Sequence, residues 1–499
     1  MRQGDALTGR LGWLLVGIAL LLIANGRWII GPAAWLAPIG WLVFLERSRT
    51  WPGLAIAFVL YTLVHFAIWR GIIPAPGLLY FIVAGIYAIA YFLPLAMHRL
   101  LAPRLAGFRA TLVFPLAWVG IEFVFHRWIT PYGSWASLAY TQTEFSSLLQ
   151  IASLTGTAGI SFLMVWFASI AAVLLRPDDE MEQGWLAAAA YLLVLAAVLA
   201  FGHYRLSRPL PDQNLVRTAG IVPSTVLMDD LERVLAPIRR GEPASDSLLD
   251  TIADLAGRLN NDLFERSRRE ARAGARLVAW SETAGRTFLT DEPRFLDRAA
   301  RLAAEEAVYI VVAYGVWNPG TQPPFANKVA AIAPSGGVAW DYDKAHPIIG
   351  AESYFMNAGD GVVRSLDTPF GRISAVICHD LDFPALLGQA ARQKIGLMIG
   401  PAADWQAITP LHANMSILRS IEAGFSLLRP TSGGRSLATD ARGRAVAIVD
   451  YADDAMVAHL RAAPVRTLYG LVGDLFAWLC LAGIMALAAL AVFRPRREP

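Results

Sequence analysis

Repeated runs of roughly 20 apolar residues constrain this chain more than any other feature. A helix that crosses the ~30 Å hydrocarbon core of a bilayer needs about that many, and no soluble core demands so many such runs in succession. Seven lie before residue 210, near Leu11–Ala24, Ile29–Phe44, Trp51–Ile68, Leu78–Met97, Leu112–Phe125, Leu149–Leu175 and Trp185–Phe201, the shorter ones extended at their ends. An eighth runs from Leu471 to Phe493. The first follows Arg2 and Arg10 as a signal peptide would, but it has no convincing small-residue cleavage site and six more runs follow, so it reads as a retained helix.

Charge divides the chain at the same places. Asp, Glu, Lys and Arg account for 21 of the first 210 residues but 56 of the next 255. The reading is a membrane domain over 1–210 with seven transmembrane helices, a soluble domain over 211–465, and a last transmembrane helix with a basic tail over 466–499. Pro209-Leu210-Pro211 is the linker out of the membrane. Arginines in short loops favour the cytoplasm. With the N-terminus inside, the inside segments hold eleven (Arg2, Arg10, Arg47, Arg49, Arg99, Arg104, Arg109, Arg176, Arg494, Arg496, Arg497) and the short outside loops three (Arg27, Arg70, Arg127). Seven crossings then leave 211–465 on the far side of the membrane, tethered at both ends.

A net charge of +3 with no basic block gives nucleic acid nothing to bind. Two cysteines, Cys378 and Cys480, make no disulfide framework, and His346, His379 and His412 have no metal-ligand spacing. No cofactor is implied. Only three of the 43 basic residues are lysines (Lys328, Lys344, Lys394), so each lysine invites a reason for an amine that can lose its proton.

Within 211–465, β-branched strands alternate with helical stretches, the pattern of a layered α/β domain. Strands are expected at Leu215–Val222, Arg276–Trp280, Val308–Tyr314, Val329–Ala333, Arg372–Ile377, Gly396–Gly400 and Ala445–Val449. Helices are expected at Ser245–Ala273, Glu292–Ala304, Pro384–Gln393 and Thr409–Ala423. Three segments place chemistry at or near strand ends: Trp280-Ser281-Glu282, Tyr342-Asp343-Lys344 with Gly350-Ala351-Glu352 beyond it, and Ile377-Cys378-His379-Asp380. A thiol attacks as thiolate and needs a base or a cation nearby. Glu282 suits the base, Lys344 the cation, and backbone N–H groups of the turn after Cys378 suit a developing oxyanion. Each alone has a plainer reading, as buried thiol, surface charge or helix cap; their order along the chain is what favours acyl transfer.

These segments resemble the nitrilase (carbon-nitrogen hydrolase) superfamily, which uses Glu, Lys and Cys in this order. With helices before and after the domain, the chain is similar to the membrane-bound apolipoprotein N-acyltransferases of bacterial lipoprotein maturation. Arg419-Ser420-Ile421-Glu422-Ala423, Leu428-Arg429-Pro430-Thr431, Trp135–Tyr140 and Gly156–Phe162 extend the likeness. The resemblance implies an αββα sandwich, with Glu282 as general base, Lys344 as charge stabiliser, Cys378 as nucleophile, and Glu352 as a second carboxylate near Lys344. It implies a phospholipid acyl donor, a lipoprotein N-terminus as acceptor, a thioester intermediate, and a bacterial inner membrane with the catalytic domain in the periplasm. The chain departs from the pattern at Ser281 (usually Pro), at His379-Asp380 (usually Tyr-Glu), and at Pro401–Trp405, which lacks an Asn. The apolar segments Ile348-Ile349 and Tyr354-Phe355-Met356 lie either against acyl chains or in ordinary loop packing. Two alternatives stay open: a tethered amidase whose thioester is resolved by water, and a transporter or scaffold with Glu122 as its intramembrane acid.

Overall fold

A computed structural model describes residues 3–105, 107–176, 181–210, 215–239, 242, 245–452 and 454–493. Arg2, Pro211, and the basic tail Arg494, Arg496 and Arg497 lie outside them. The chain divides into two compact units, Met1–Arg208 with Val472–Pro499, and Pro209–Leu471.

Among the described residues of the first unit, six helices are long and apolar enough to cross a membrane: Thr50–Ile68, Gly77–Arg104, Phe108–Ile129, Thr157–Leu174, Gly184–Ser207 and Leu475–Phe493. The first two expected runs also form helices, Gln3–Ala24 and Gly31–Glu46, the first with a shorter apolar part, Gly9–Ala24, and the second 16 residues long. They cross where glycines permit backbone contact. A Cβ on Gly40 would sit 2.6 Å from the Gly17 nitrogen, and the Trp41 indole donates to the Gly17 carbonyl at 3.1 Å. The run expected over Leu149–Leu175 is not one helix. Short helices Ser146–Leu149 and Ala152–Thr155 precede it, and Gly156, at φ 65°, breaks the chain direction before Thr157–Leu174 begins. Glu122 is buried and accepts hydrogen bonds from Trp118 Nε1 (3.0 Å), Ser137 Oγ (2.7 Å) and Ser161 Oγ (3.2 Å), so it ties two helices together.

The described residues of the second unit form fifteen strands: β1 Val216–Ile221, β2 Leu277–Trp280, β3 Gly285–Phe288, β4 Tyr309–Trp317, β5 Phe325–Ile332, β6 Val338–Asp343, β7 Ser365–Thr368, β8 Gly371–Ala375, β9 Leu397–Ile399, β10 Ala402–Ala403, β11 Ser426–Arg429, β12 Thr431–Ser432, β13 Arg435–Thr439, β14 Ala445–Asp450 and β15 Ala455–Leu460. One sheet has the order β15-β1-β2-β4-β5-β6 with β3 beside β4, and the other β14-β13-β11-β9-β8-β7. β1, β2 and β4 pair in parallel, as do β8, β9 and β11, and these central strands are almost wholly buried, as strands covered on both faces must be. The two sheets pack face to face through a core that includes Leu277, Ala279 and Val311 from one and Ile373, Leu397 and Leu427 from the other. Helices Thr225–Arg239, Asp246–Arg272 and Glu292–Glu305 cover the outer face of the first sheet, burying Leu259, Leu263, Phe264 and Phe295 against Trp280 and Ile310. Pro384–Arg392 and Thr409–Ala423 belong to the second sheet. The result is helix, sheet, sheet, helix: an αββα sandwich.

Candidate active site

Glu282 sits in the turn after β2, where the chain leaves the parallel ladder, and Thr283 follows it at φ 48°. Lys344 follows β6, held by its own N–H to the Asn327 carbonyl (2.9 Å) and by its carbonyl accepting from Gly359 N (2.8 Å). Gly359 is required there, since a Cβ would lie 2.2 Å from the Asp343 carbonyl oxygen. The strand expected to run to Ile377 stops at Ala375. Ile377 N–H donates instead to the Asp380 carboxylate (3.1 Å), and Cys378 opens a 3-10 turn, Cys378–Asp382. Cys378 has φ 46°, a left-handed conformation that costs a side-chain-bearing residue about 1–2 kcal/mol and concentrates at functional sites. Two of the backbone donors expected to serve an oxyanion are engaged elsewhere: Asp380 N–H with Ile377 O (2.9 Å) and Phe383 N–H with Asp380 O (3.3 Å).

These elements bring the three predicted groups together. The Lys344 ammonium lies 2.7 Å from Glu282 Oε1 and 2.7 Å from Glu352 Oε2, and Glu282, Lys344 and Cys378 are at most 4% exposed. Glu282 is fixed from two further directions. Asn327 Nδ2 donates to Oε1 (2.8 Å) and Ala403 N–H to Oε2 (2.9 Å). Glu352 accepts from Ile348 N (2.8 Å). Burial opposes the charge on Lys344, but the Glu282 and Glu352 carboxylates outweigh it and hold the ammonium well above its usual value. Burial pushes Glu352 upward, against the pull of Lys344. The Cys378 thiol is pushed up to about 11, by burial first and by the Glu282 charge second, while a hydrogen bond from His412 and the charge of Lys344 pull the other way. At neutral pH Cys378 therefore rests as a thiol.

Asp380 is fully buried and works as a staple between loops. Oδ2 accepts from Tyr342 Oη (2.8 Å), Ile377 N (3.1 Å) and Ala345 N (3.4 Å), and Oδ1 from His346 N and Nδ1 (2.9 Å each). It thus joins the Lys344 loop to the Cys378 turn. His346 stacks on Phe383 with ring centroids 3.6 Å apart. His379 is buried, lies by Nδ1 3.0 Å from the His346 carbonyl, and is depressed by burial to about 4. The loop around Glu352 divides: Ile348, Phe355 and Met356 pack inside the domain, whereas Ile349 and Tyr354 are exposed. Ser281 Oγ is buried and has no hydrogen-bond partner among the described residues.

A buried ionic network was not anticipated. His412, on helix Thr409–Ala423, puts Nδ1 2.9 Å from Asp404 and Nε2 2.7 Å from Asp382, and Arg429 of β11 grips Asp404 with Nη2 at 2.9 and 3.1 Å. Cys378, Asp404 and His412 offer ligand atoms within 4.8 Å of one another, the one such group of metal-binding residue types among the described residues. Both His412 nitrogens already face carboxylates and Asp404 is paired with Arg429, so the donor set is arranged as an ion network. The sequence signal available was Arg429 itself, a cation inside the apolar strand Ser426–Arg429. Asn327 carries no comparable signal, and Ala403 contributes only its main chain.

Two family models match the chain in the order of its units: the N-terminal domain of apolipoprotein N-acyltransferase over residues 16–170, and carbon-nitrogen hydrolase over residues 248–467. An apolipoprotein N-acyltransferase of Geobacter metallireducens is 28% identical over 415 residues, 78% of this chain and 75% of that protein. Proteins of the same name from Gloeobacter violaceus (26% identical, 94% of this chain and 92% of that one) and Rhizobium rhizogenes (25%, 71% and 68%) align as well. With the two matches lying in the order of the two units, the chain is similar over most of its length to apolipoprotein N-acyltransferases and, in its second unit, to carbon-nitrogen hydrolases.

Proposed function

We propose that the protein transfers a fatty acyl chain from a membrane phospholipid to the N-terminal amine of a diacylglyceryl-cysteine lipoprotein, through a thioester on Cys378. The supporting observation is the buried Glu282–Lys344–Glu352 arrangement beside a thiol that is protonated at rest. As Sγ attacks the ester carbonyl, its proton passes to Glu282 and the Lys344 ammonium balances the oxyanion. Collapse expels the lysophospholipid alkoxide, which takes the proton back from Glu282. The neutral amine then attacks the thioester, Glu282 accepts a proton from it, and the amide leaves as the sulfur recovers that proton.

Glu352 has a distinct part in this scheme. While Glu282 is protonated it no longer neutralises Lys344, and Glu352 at 2.7 Å keeps the ammonium charged and in place. Burial of Glu282, Lys344 and Cys378 excludes water, which favours amine over water as the second nucleophile and so transfer over hydrolysis. A small-amide hydrolase would use the same trio, but it would have no use for a helical unit of this family. The arginine distribution supports an inner-membrane protein with its catalytic unit in the periplasm. The test is N-acylation of a diacylated lipopeptide by the full chain with phospholipid as donor. Parallel double-reciprocal plots, with Cys378→Ala inactive, are expected; hydrolysis of small amides without lipid transfer would overturn the reading.

A further inference from the structure

The His412 network has no task in the steps above, yet it touches the reacting sulfur. His412 is 2% exposed, both ring nitrogens face carboxylate oxygens, and a ring nitrogen lies within 4.8 Å of the Cys378 sulfur. Carboxylates only accept, so both nitrogens must carry hydrogen and the ring is an imidazolium. Burial opposes that charge, but Asp382 and Asp404 more than offset it and hold the ring well above the usual imidazole value. The groups acting on it come from every side: Asp382, Cys378 and His379 from the 3-10 turn, Asp404 from the loop after β10, and Arg429 from β11 behind Asp404. Lys344 and Glu282 act on the same sulfur.

We propose that His412 is a second cation for the nucleophile, clamped between Asp382 and Asp404 so that it stabilises the Cys378 thiolate on attack and again when the thiolate leaves. The proposal rests on Cys378 being the nucleophile. No proton moves to or from His412: the Sγ proton goes to Glu282, and the two ring N–H bonds stay on the ring through the cycle. In this it differs from a cysteine–histidine pair in which the imidazole is the base. Two buried cations, Lys344 and His412, then flank one sulfur, and their work divides: Lys344 also meets the oxyanion, whereas His412 serves the thiolate alone.

The test is the pH dependence of iodoacetamide alkylation of Cys378 in the purified full chain, followed by peptide mass spectrometry from pH 6 to 10, with thermal melting alongside. His412→Gln is expected to lower the rate about 10- to 100-fold at every pH on the rising limb, the effect of removing one close opposite charge. Asp382→Asn removes one of the two carboxylates that keep the ring charged. Its rate should match or exceed wild type at pH 6 and fall toward that of His412→Gln as pH rises, a break that a packing defect would not produce. If His412→Gln fails to fold, that break decides the matter. Profiles of both variants that overlay wild type, or a uniform offset for Asp382→Asn, would overturn the proposal. Absence of any phospholipid-derived acyl group on wild-type Cys378 would instead overturn the acyl-transfer reading and leave the alkylation profiles to judge His412.

Discussion

Asp380→Asn isolates the staple between the Lys344 loop and the Cys378 turn while changing almost no volume. Five donors converge on the two carboxylate oxygens, three on Oδ2 and two on Oδ1. An Asn amide offers one oxygen and turns an NH2 toward the other set. With its oxygen toward Tyr342, Ile377 and Ala345, the amide nitrogen faces the His346 backbone and ring N–H groups; with the opposite flip it faces the other three. At least two donors therefore lose their acceptor. Each buried orphan costs about 1–3 kcal/mol, and His346 is partly exposed, so water relieves part of the loss and about 2–4 kcal/mol is expected in all. Since the donors belong to the segments carrying Lys344 and Cys378, the loss is shared between stability and alignment. Acyl-enzyme formation, timed by quenched intact-mass measurement with phospholipid vesicles, should slow at least about 10-fold, which takes about 1.4 kcal/mol of the total. The melting temperature in detergent should fall as well. A variant that melts and acylates within twofold of wild type would refute the staple.

Three further outcomes follow from the buried charges. Lys344→Met leaves Glu282 and Glu352 facing each other without a cation; it should abolish acylation and cost about 3–5 kcal/mol at pH 8. Because Glu352 is already raised by burial, the variant should regain stability as pH falls and it takes up a proton, read as a higher melting temperature at pH 5 than at pH 8. His379, depressed to about 4, is neutral in the folded chain. Its contribution is present in full above the unfolded value near 6.5 and is lost as pH falls toward 4, up to about 3 kcal/mol, so His379→Gln should flatten the melting profile between pH 6.5 and 4. Asn327→Asp replaces a donor to Glu282 with a second carboxylate and should slow acylation at pH 7 about 10-fold or more, an effect that lower pH relieves if repulsion is its cause.

What could be read in the sequence was whatever has a local period or a strong composition. The eight apolar runs all contain helix, and β1, β2, β4, β8 and β9 lie within a few residues of the expected strands because both their faces are apolar. Polar strands were not legible: β6 is exposed on most of its residues, and β3 and β7 carry Arg286, Thr287, Asp367 and Thr368. Helix Thr225–Arg239 is hidden by Pro237 in its last turn, which reads as a breaker. In the site, Glu282, Lys344 and Cys378 stood out as rare ionisable types at strand ends. The hold on them is non-local: Asn327 reaches Glu282 across 45 positions, and Arg429 reaches Asp404 across 25. Ala403 acts through a main-chain N–H that no side chain announces. The departure at His379-Asp380 acquires a physical sense, because Asp380 needs only two carboxylate oxygens at the right depth to close the staple.

The account stands on one covalent species, a fatty acyl thioester on Cys378. Intact-mass analysis of the full chain purified from membranes, with peptide mapping, reads it directly. A phospholipid-derived acyl mass on the Cys378 peptide, discharged by a diacylated lipopeptide and absent from Cys378→Ala, is the predicted result. Lipopeptide N-acylation that proceeds while Cys378 carries no adduct, or that survives in Cys378→Ala, would contradict it.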